Sequence, residues 1–208
     1  VNTRHEQIAA HAADGYARAT KKASVLLSHL SPGLTNAATG VANAALDSIP
    51  MVVIAGDVPT HYYGKHPHQE VNLHADASQS EIYRPFVKRV WRVDSPHLFP
   101  EILEKAFALA ESGRPGPVLV DVPMDVFSKE IDVALWKQVQ LNARTVRKPS
   151  LDDETAEKIV RQLLAAKTPV LYVGGGILLA DAAEEMREFA ERLSLPVAHT
   201  LMGKGALP

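Results

Sequence analysis

The chain has 208 residues, with 22 Lys and Arg against 24 Asp and Glu, nine His and no Cys. The lack of Cys excludes disulfide frameworks and cysteine-based metal centres, and the balanced, interspersed charges lack the basic stripe that nucleic-acid binding requires. Because no apolar run approaches the roughly 20 residues that cross a bilayer and the start lacks the layout of a signal peptide, we expect a cytoplasmic protein with no membrane or nucleic-acid partner.

The first 127 residues alternate between helical and strand patterns. Apolar residues at three- and four-residue spacing predict amphipathic helices, and short apolar runs bounded by turn residues predict buried strands. The predicted elements are a helix over 3–20, a strand over 24–29, a helix over 35–47, a strand over 51–56, a short helix over 75–82, a strand over 86–93, a helix over 96–112 capped by Ser95 and a strand over 117–122. This alternation predicts an α/β fold, a parallel sheet with helices on both faces.

Two segments interrupt this alternation. The loop over 57–72 is rich in His, Pro, Gly and Tyr, and ordered loops of this length are usually functional. Residues 128–150 lose the periodicity and predict a linker, so that the first domain covers residues 1–127. Beyond the linker, a further helix, strand, glycine turn, helix and strand predict the start of a second, Rossmann-like α/β domain over 151–208.

Several blocks of the sequence resemble acetolactate synthase-like thiamine diphosphate enzymes. They keep that family's order and spacing between residues 4 and 125, and they include Arg4-His5-Glu6-Gln7, Ser31-Pro32-Gly33-Leu34-Thr35-Asn36 and Ser112-Gly113-Arg114-Pro115-Gly116. Residues 169–176 and 200–205 resemble the start of the family's central domain. The resemblance implies a thiamin diphosphate-binding fold, with the chain as a fragment that lacks the first strand and helix of its pyrimidine-binding domain.

The resemblance also implies the cofactors and the assembly. Subunits of this family carry a pyrimidine-binding, a central and a pyrophosphate-binding domain. A Gly-Asp-Gly motif followed by Asn, which holds Mg²⁺ and the diphosphate in the family, does not occur in the 208 residues. We therefore expect thiamine diphosphate as the cofactor, Mg²⁺ ligands in a pyrophosphate-binding domain outside this sequence, and a site shared between the subunits of a homodimer or tetramer.

Glu6 matches the family's glutamate beside the pyrimidine N1′ of the cofactor, where it promotes the proton transfer that activates the thiazolium. Burial would raise the pKa of its carboxyl and permit proton exchange near neutral pH. The alternative is that Glu6 closes a capping box with Thr3. A position at the start of a helix is compatible with both roles.

Histidine is concentrated near the predicted site, since seven of the nine lie within the first 74 residues. His29 follows a strand, where the ligand sites of parallel sheets gather, and benzoylformate decarboxylase-like enzymes carry an active-site His there; a structural His is the alternative. His66 and His68 precede Gln69 and Glu70, which match the synthase pattern. The pair is suited to proton transfer or to orienting a substrate carboxylate. No carboxylate or Cys pattern completes a metal site, and a solvated polar loop is the alternative.

A second group of residues is expected to bind the cofactor. Pro32, Gly33, Thr35 and Asn36 lie where a predicted helix opens after a turn, and backbone N–H groups point toward a ligand at such a position. Ordinary N-capping is the alternative for Thr35.

A glycine run follows the first predicted strand of the second domain. Gly174, Gly175 and Gly176 would let the backbone approach a nucleotide. This part of the central domain helps to hold FAD in acetolactate synthases, whereas relatives without flavin keep similar glycine runs. FAD binding is therefore left open.

The resemblance implies thiamine diphosphate-dependent carboligation or decarboxylation of a 2-oxo acid, with acetolactate synthase, and hence branched-chain amino acid biosynthesis, as the leading assignment. The extra histidines favour protonation chemistry and make a thiamine-dependent decarboxylase or acyl-transfer relative the first alternative. An inactive interaction module that keeps the fold is the second. We expect the 208 residues by themselves to be inactive.

Overall fold

The computed structural model describes residues 1–65, 68–71, 78–141 and 150–207. The chain divides into two compact units, Val1–Arg147 and Lys148–Pro208, and each contains a parallel sheet with helices. The predicted α/β class is therefore confirmed. Within the described ranges, no helix combines the length and the apolar character needed to cross a membrane.

The first unit is built around a four-stranded sheet. Its helices and strands are α1 (Glu6–Thr20), β1 (Ser24–His29), α2 (Leu30–Leu46), β2 (Met51–Asp57), β3 (Val90–Arg92), α3 (Phe99–Glu111), β4 (Pro117–Pro123), α4 (Met124–Phe127) and α5 (Val133–Leu141). Short 3₁₀ helices cover Thr60–Tyr62, Gln79–Ile82 and Pro96–Leu98. All strand pairs are parallel, in the order β1-β2-β4-β3.

The core lies on both faces of this sheet. Helices α1 and α2 cover one face, where Leu34 and Val41 pack against Val53. Helix α3 covers the other, where Ala106 packs with Val118. Every residue of β4 is buried, as expected for a central strand of a parallel sheet.

The edge strand β1 differs from β4. Its residues alternate between buried and exposed, and Val25 and Leu27 on the outward face are 50% and 69% exposed. The strand therefore contributes only one face to the core.

Helices α1 and α2 cross very closely, because small residues lie at their contact. A Cβ added at Gly40 would lie 2.5 Å from Ala10 Cβ and 3.1 Å from the backbone nitrogen of His11. Beside the crossing, buried Asp14 accepts hydrogen bonds from Arg18 Nε at 2.8 Å and Asn43 Nδ2 at 3.3 Å. The pairing neutralises a carboxylate that burial would otherwise destabilise.

Helix α1 begins three residues later than predicted. His5 is its N-cap in an extended conformation, and its Nδ1 accepts a hydrogen bond from the Gln7 N–H at 3.2 Å. The Thr3 hydroxyl instead donates to the His5 carbonyl at 2.9 Å. The predicted Thr3 and Glu6 capping box is therefore wrong, because Thr3 lies two residues outside the cap.

Helix α2 begins five residues earlier than predicted, directly after β1. Leu30 takes a positive φ of 53°, which turns the strand into the helix. Pro32 is tolerated in the first turn because N–H groups there lack intrahelical partners. Thr35 donates to the Pro32 carbonyl at 2.9 Å within the helix, so N-capping by Thr35 is wrong.

Three later elements are shorter or different. Strand β3 covers three of the eight residues predicted, and Ser95 makes no capping hydrogen bond because a 3₁₀ turn, not α3, follows it. The short helix predicted over 75–82 is a 3₁₀ helix from Gln79, and residues 75–77 lie outside the described ranges. The predicted linker contains α5, which contacts α3. The domain boundaries themselves stay predictions.

The second unit follows the predicted order with one added helix. It contains α6 (Asp153–Ala165), β5 (Leu171–Val173), α7 (Gly176–Leu179), α8 (Ala183–Arg192) and β6 (Val197–His199), with a 3₁₀ helix at Leu201–Gly203. Strands β5 and β6 pair in parallel. Asp152 caps α6 by accepting a hydrogen bond from the Thr155 N–H at 2.8 Å.

Candidate active site

The starts of α1 and α2 bring Glu6 and Asn36 together. Asn36 Nδ2 donates a hydrogen bond to Glu6 Oε2 at 3.0 Å. Gly33 lies beside them, since a Cβ there would stand 2.5 Å from Ser28 Oγ and 3.7 Å from Glu6 Oε1. Among the residues that the structure describes, the buried Ser28 hydroxyl has no hydrogen-bond partner. The predicted residues Glu6, Gly33 and Asn36 thus form one group, and the Ser28 hydroxyl lies beside it.

The carboxyl of Glu6 is only partly buried. The hydrogen bond from Asn36 is the main reason why its pKa lies below the ordinary value for Glu, and nearby His5 adds to the lowering. The expectation that burial raises this pKa is therefore wrong for the chain as described, because donation to the ionised form outweighs desolvation.

His29 lies apart from the Glu6 group. Side chains alternate along β1, so that buried Ser28 points toward Gly33 while exposed His29 points to the opposite face of the sheet. There it lies against Gly56 of β2, where an added Cβ would stand 3.3 Å from His29 Nδ1. The strand-end position agrees with the sequence analysis, but the structure does not bring His29 to Glu6.

The start of the loop after β2 is held by hydrogen bonds to α4. Asp125 of α4 accepts hydrogen bonds from the Thr60 N–H at 3.0 Å and the Thr60 hydroxyl at 2.7 Å. Farther along, the Tyr63 hydroxyl donates to Asp57 Oδ2 at 3.0 Å, and the Arg92 guanidinium lies 3.7 Å from the centre of the Tyr63 ring. Both anchors come from the carboxyl edge of the sheet.

The predicted loop residues are only partly described. His66 lies outside the described residues, whereas His68 and Gln69 are exposed. Gln69 has a positive φ of 69°, which is uncommon for a residue other than glycine. Among the residues that the structure describes, no group of three or more His, Cys, Asp or Glu is placed to hold a metal ion.

Two buried carboxyl groups stand at the carboxyl ends of neighbouring strands. Asp57 of β2 and Asp121 of β4 are 4% and 1% exposed. Burial, with the nearby Asp57 charge, raises the pKa of Asp121 to about 7, and burial also raises the pKa of Asp57. Arg92 Nη2 lies 3.4 Å from Asp57 Oδ2, while Asp121 Oδ2 has no hydrogen-bond partner in the described ranges. A proton on Asp121 would relieve the repulsion between the two groups.

The buried amide of Gln79 connects this carboxyl pair to the start of α2. Its Nε2 donates to Asp121 Oδ1 at 2.8 Å and to the Gly56 carbonyl at 2.9 Å. Its Oε1 accepts from Ser31 Oγ at 3.1 Å, and Ser31 Oγ in turn accepts from the Val71 N–H at 3.0 Å. We call Asp121, Gln79, Ser31 and the Val71 amide the Gln79 relay.

The sequence analysis did not identify this network. The sequence could have indicated the two acids of this network, because Asp121 interrupts an apolar strand and Asp57 ends one. A charged residue in such a strand is buried and therefore requires a partner. The contribution of Gln79 has no such signal, since its contacts span 23 to 48 residues along the chain.

Comparison with known proteins agrees with this arrangement. Residues 1–79 match the thiamine pyrophosphate enzyme N-terminal TPP binding domain, and residues 156–208 match the central domain of the same enzymes. This chain belongs to the thiamine pyrophosphate enzymes.

Individual relatives of this thiamine pyrophosphate enzyme family are similar along the whole chain. It is 41% identical to the probable acetolactate synthase large subunit of Methanococcus aeolicus, over 99% of this chain and 34% of the relative. The acetolactate synthase large subunit of Buchnera aphidicola is 43% identical to this chain, over 99% of the chain and 35% of the relative. The acetolactate synthase isozyme 3 large subunit of Escherichia coli is 41% identical, over 100% of the chain and 35% of the relative. The chain thus spans about one third of the length of these relatives.

Within the part that matches the family's central domain, the glycine run follows β5 directly. A Cβ at Gly175 would lie 3.2 Å from Met202 Cβ, whereas Gly176 has open space around it. Close packing therefore explains Gly175 without a ligand, and Gly174 has only ordinary contact distance to Thr200. FAD binding by this thiamine pyrophosphate enzyme chain stays open.

Proposed function

We propose that this chain supplies the pyrimidine-binding part of a thiamine diphosphate-dependent enzyme that decarboxylates and joins 2-oxo acids, in the manner of an acetolactate synthase. The observation that carries the proposal is the group of Glu6, Asn36 and Gly33 at the adjoining starts of α1 and α2. The identity of the relatives supports the choice of reaction class.

The residues of this group fit the pyrimidine half of the cofactor. Gly33 lets the backbone of α2 lie close to Ser28 beside the Glu6 carboxyl, and the buried Ser28 hydroxyl has no hydrogen-bond partner among the described residues. A few polar groups that converge at one place are typical of a ligand site. Glu6 and Asn36 would hold the ring by hydrogen bonds.

When bound, thiamine diphosphate would supply a cationic thiazolium ring that can take up the electrons released when a 2-oxo acid loses CO₂. The chain's own contribution is a proton held at Glu6 Oε1 or Oε2. The hydrogen bond from Asn36 lowers the pKa of the Glu6 carboxyl, so Glu6 would have to take up this proton as the ring covers it. A ring placed over Glu6 would also exclude water and raise the affinity of the carboxyl for a proton.

Replacement of Glu6 by Gln in the complete protein tests this assignment. The amide keeps the shape of the side chain but cannot take up the proton, so we expect thiamine diphosphate-dependent turnover of pyruvate to fall at least about a hundredfold. Steady-state kinetics with saturating cofactor measure the effect.

Glu101→Gln is the matched control. Glu101 also lies in the first turn of a helix, α3, and its carboxylate pairs with Lys105 on the surface. Its replacement should change turnover less than about twofold, because exposed ion pairs contribute little. Unchanged turnover in the Glu6→Gln protein would refute the proposed function of Glu6.

A thiamine-dependent decarboxylase is the second candidate. It is supported by His29, which is exposed at the carboxyl end of β1, and by exposed His68 in the loop. Both are available to protonate a reaction product. Product analysis with pyruvate separates the candidates, because a synthase gives acetolactate and a decarboxylase gives an aldehyde.

The remaining expectations stay predictions. Mg²⁺ and FAD, a homo-oligomer with a shared site, the cytoplasmic location and the domain boundaries at residues 127 and 150 follow from the family resemblance and the sequence pattern. The other predicted site residues are not tested by the structure. Those predicted to contact the cofactor are Pro32, Thr35, Gly174, Gly175 and Gly176, and those predicted to be catalytic are His29, His66, His68 and Gln69.

A further inference from the structure

We propose that Ser31 and Gln79 are positioning residues, whose hydrogen-bonded pair fixes the loop carrying Gln69 against the start of α2 and thereby sets the affinity for the 2-oxo acid. The inference rests on the proposed function and assigns two further residues to the same site. It concerns substrate binding and leaves cofactor binding to Glu6 and Asn36.

The Ser31 and Gln79 side chains are held in place because both are buried. Ser31 and Gln79 are 1% and 3% exposed. The amide of Gln79 is satisfied on both sides, by the Gly56 carbonyl and Asp121 as acceptors and by Ser31 as a donor. These bonds define which way the amide faces, and therefore leave Ser31 Oγ one orientation in which its lone pair meets Val71.

The hydrogen bond to the Val71 N–H is the contact through which the Gln79 relay holds the loop. The Val71 N–H donates to Ser31 Oγ at 3.0 Å, two residues after Gln69. Gln69 itself has a left-handed backbone conformation with a φ of 69°. Such a conformation in a residue other than glycine persists only where neighbouring contacts enforce it. The Ser31 hydroxyl supplies one of these contacts.

The relay is separate from the residues proposed to bind the cofactor ring. Ser31 lies two positions before Gly33 on α2, but its side chain bonds to Gln79 and the loop rather than to Glu6 or Asn36. Removal of the Ser31 hydroxyl should therefore disturb the loop and leave the Glu6 group intact. This separation predicts a change in substrate affinity without a change in cofactor affinity.

Ser31→Ala in the complete protein removes the hydrogen bond between the Val71 N–H and Ser31 Oγ, and Ser80→Ala is its matched control. Ser80 is also a buried serine, but within the described part of the chain its hydroxyl bonds to Ser78 and not to a polar group of the relay. Hydrogen exchange of the cofactor-free protein gives the first measurement. We expect the Val71 amide to exchange at least about tenfold faster in Ser31→Ala and within about twofold of the wild type in Ser80→Ala.

Kinetics and binding give the second measurement. In Ser31→Ala we expect KM for pyruvate to rise about tenfold, with the Kd for thiamine diphosphate within about twofold of the wild type. A purely structural serine would lower Tm without separating the two affinities. Gln79→Met, which keeps the length of the side chain but not its hydrogen bonds, should reproduce the rise in KM; if that variant does not fold, Ser31→Ala decides.

Each outcome bears on one proposal. Unchanged exchange at Val71, unchanged KM, or equal losses of substrate and cofactor affinity in Ser31→Ala would overturn the role of the relay. A wild-type protein without thiamine-dependent turnover of pyruvate would instead refute the proposed function, and the exchange experiment would then still decide whether Ser31 holds the loop.

Discussion

At the scale of single residues, Asp121 shows how a buried acid responds to its surroundings. It belongs to a strand whose other residues are apolar and buried, next to the second acid Asp57. Gln79 and Arg92 favour its ionised form, but burial and the Asp57 charge outweigh them and raise its pKa to about 7. The unpartnered Asp121 Oδ2 is where a proton would reside.

The raised pKa makes stability depend on pH in a defined direction. The unfolded chain ionises Asp121 near about pH 4, whereas the folded chain keeps the proton until about pH 7, so the folded state binds more protons in between. The free energy of unfolding therefore falls as the pH rises through this window, by up to about 1.4 kcal/mol per pH unit. The Asp121→Asn variant cannot ionise, and its stability relative to the wild type should rise over the same window.

Chemical unfolding at about pH 5 and pH 7 measures this difference. Asp125→Asn is the control, because hydrogen bonds from Thr60 lower the pKa of Asp125 and place its titration below the window. Its effect on stability should be the same at both pH values. A constant effect of Asp121→Asn would contradict the assignment of a proton to that carboxyl.

At the scale of elements, the contact between α1 and α2 determines where the Glu6 group forms. Glu6 and Asn36 lie on different helices, and the close crossing at Gly40 brings those helices together. A side chain at Gly40 would meet Ala10 and the backbone of α1, neither of which can rotate away.

Gly40→Ala should therefore lower the free energy of unfolding by on the order of 1–3 kcal/mol, as overpacking usually does. Gly15→Ala is the matched control on α1, because a Cβ at Gly15 meets nothing within 4 Å. Alanine forms helices better than glycine, so this change should stabilise the protein by up to about 1 kcal/mol. Urea unfolding compares the two variants, and a neutral Gly40→Ala would argue against the close crossing.

The sequence predicted those elements whose stability is local or whose apolar pattern is long. The apolar run of β4 predicted a buried strand, and every residue of that strand is buried. The start of α2 was predicted five residues too late because it depends on the positive φ of Leu30. Leucine in the sequence gives no indication of such a backbone conformation. The Gln79 relay was missed because it depends on contacts between distant segments.

Some residues of the candidate site were likewise predicted from the sequence, and others were not. Glu6, Gly33 and Asn36 were identified through the family resemblance, and the structure brings them together. Ser31 belongs to one of the resembling blocks, but the resemblance carried no information on its hydrogen bonds to Gln79 and Val71. His29 was expected at a strand end and is found there, but on the other face of β1 from Ser28.

At the scale of the whole molecule, the chain comprises two units and spans about one third of its relatives. The 208 residues contain no Gly-Asp-Gly motif with a following Asn. We therefore expect the purified 208-residue chain to consume no pyruvate in the presence of thiamine diphosphate and Mg²⁺, while the complete protein does so under the same conditions. Thiamine-dependent consumption by the short chain would show that the missing motif is not required.

The position of β1 has a consequence for handling such a chain. A strand at the edge of a sheet offers backbone N–H and C=O groups to any other extended chain, and exposed Val25 and Leu27 give an incoming strand an apolar surface to cover. Natural edges are usually defended by charges or proline, and the outward face of β1 has neither at these two positions. Concentrated preparations of the short chain are therefore prone to pair edge to edge, and dilution rather than added salt is the way to keep the sheets apart.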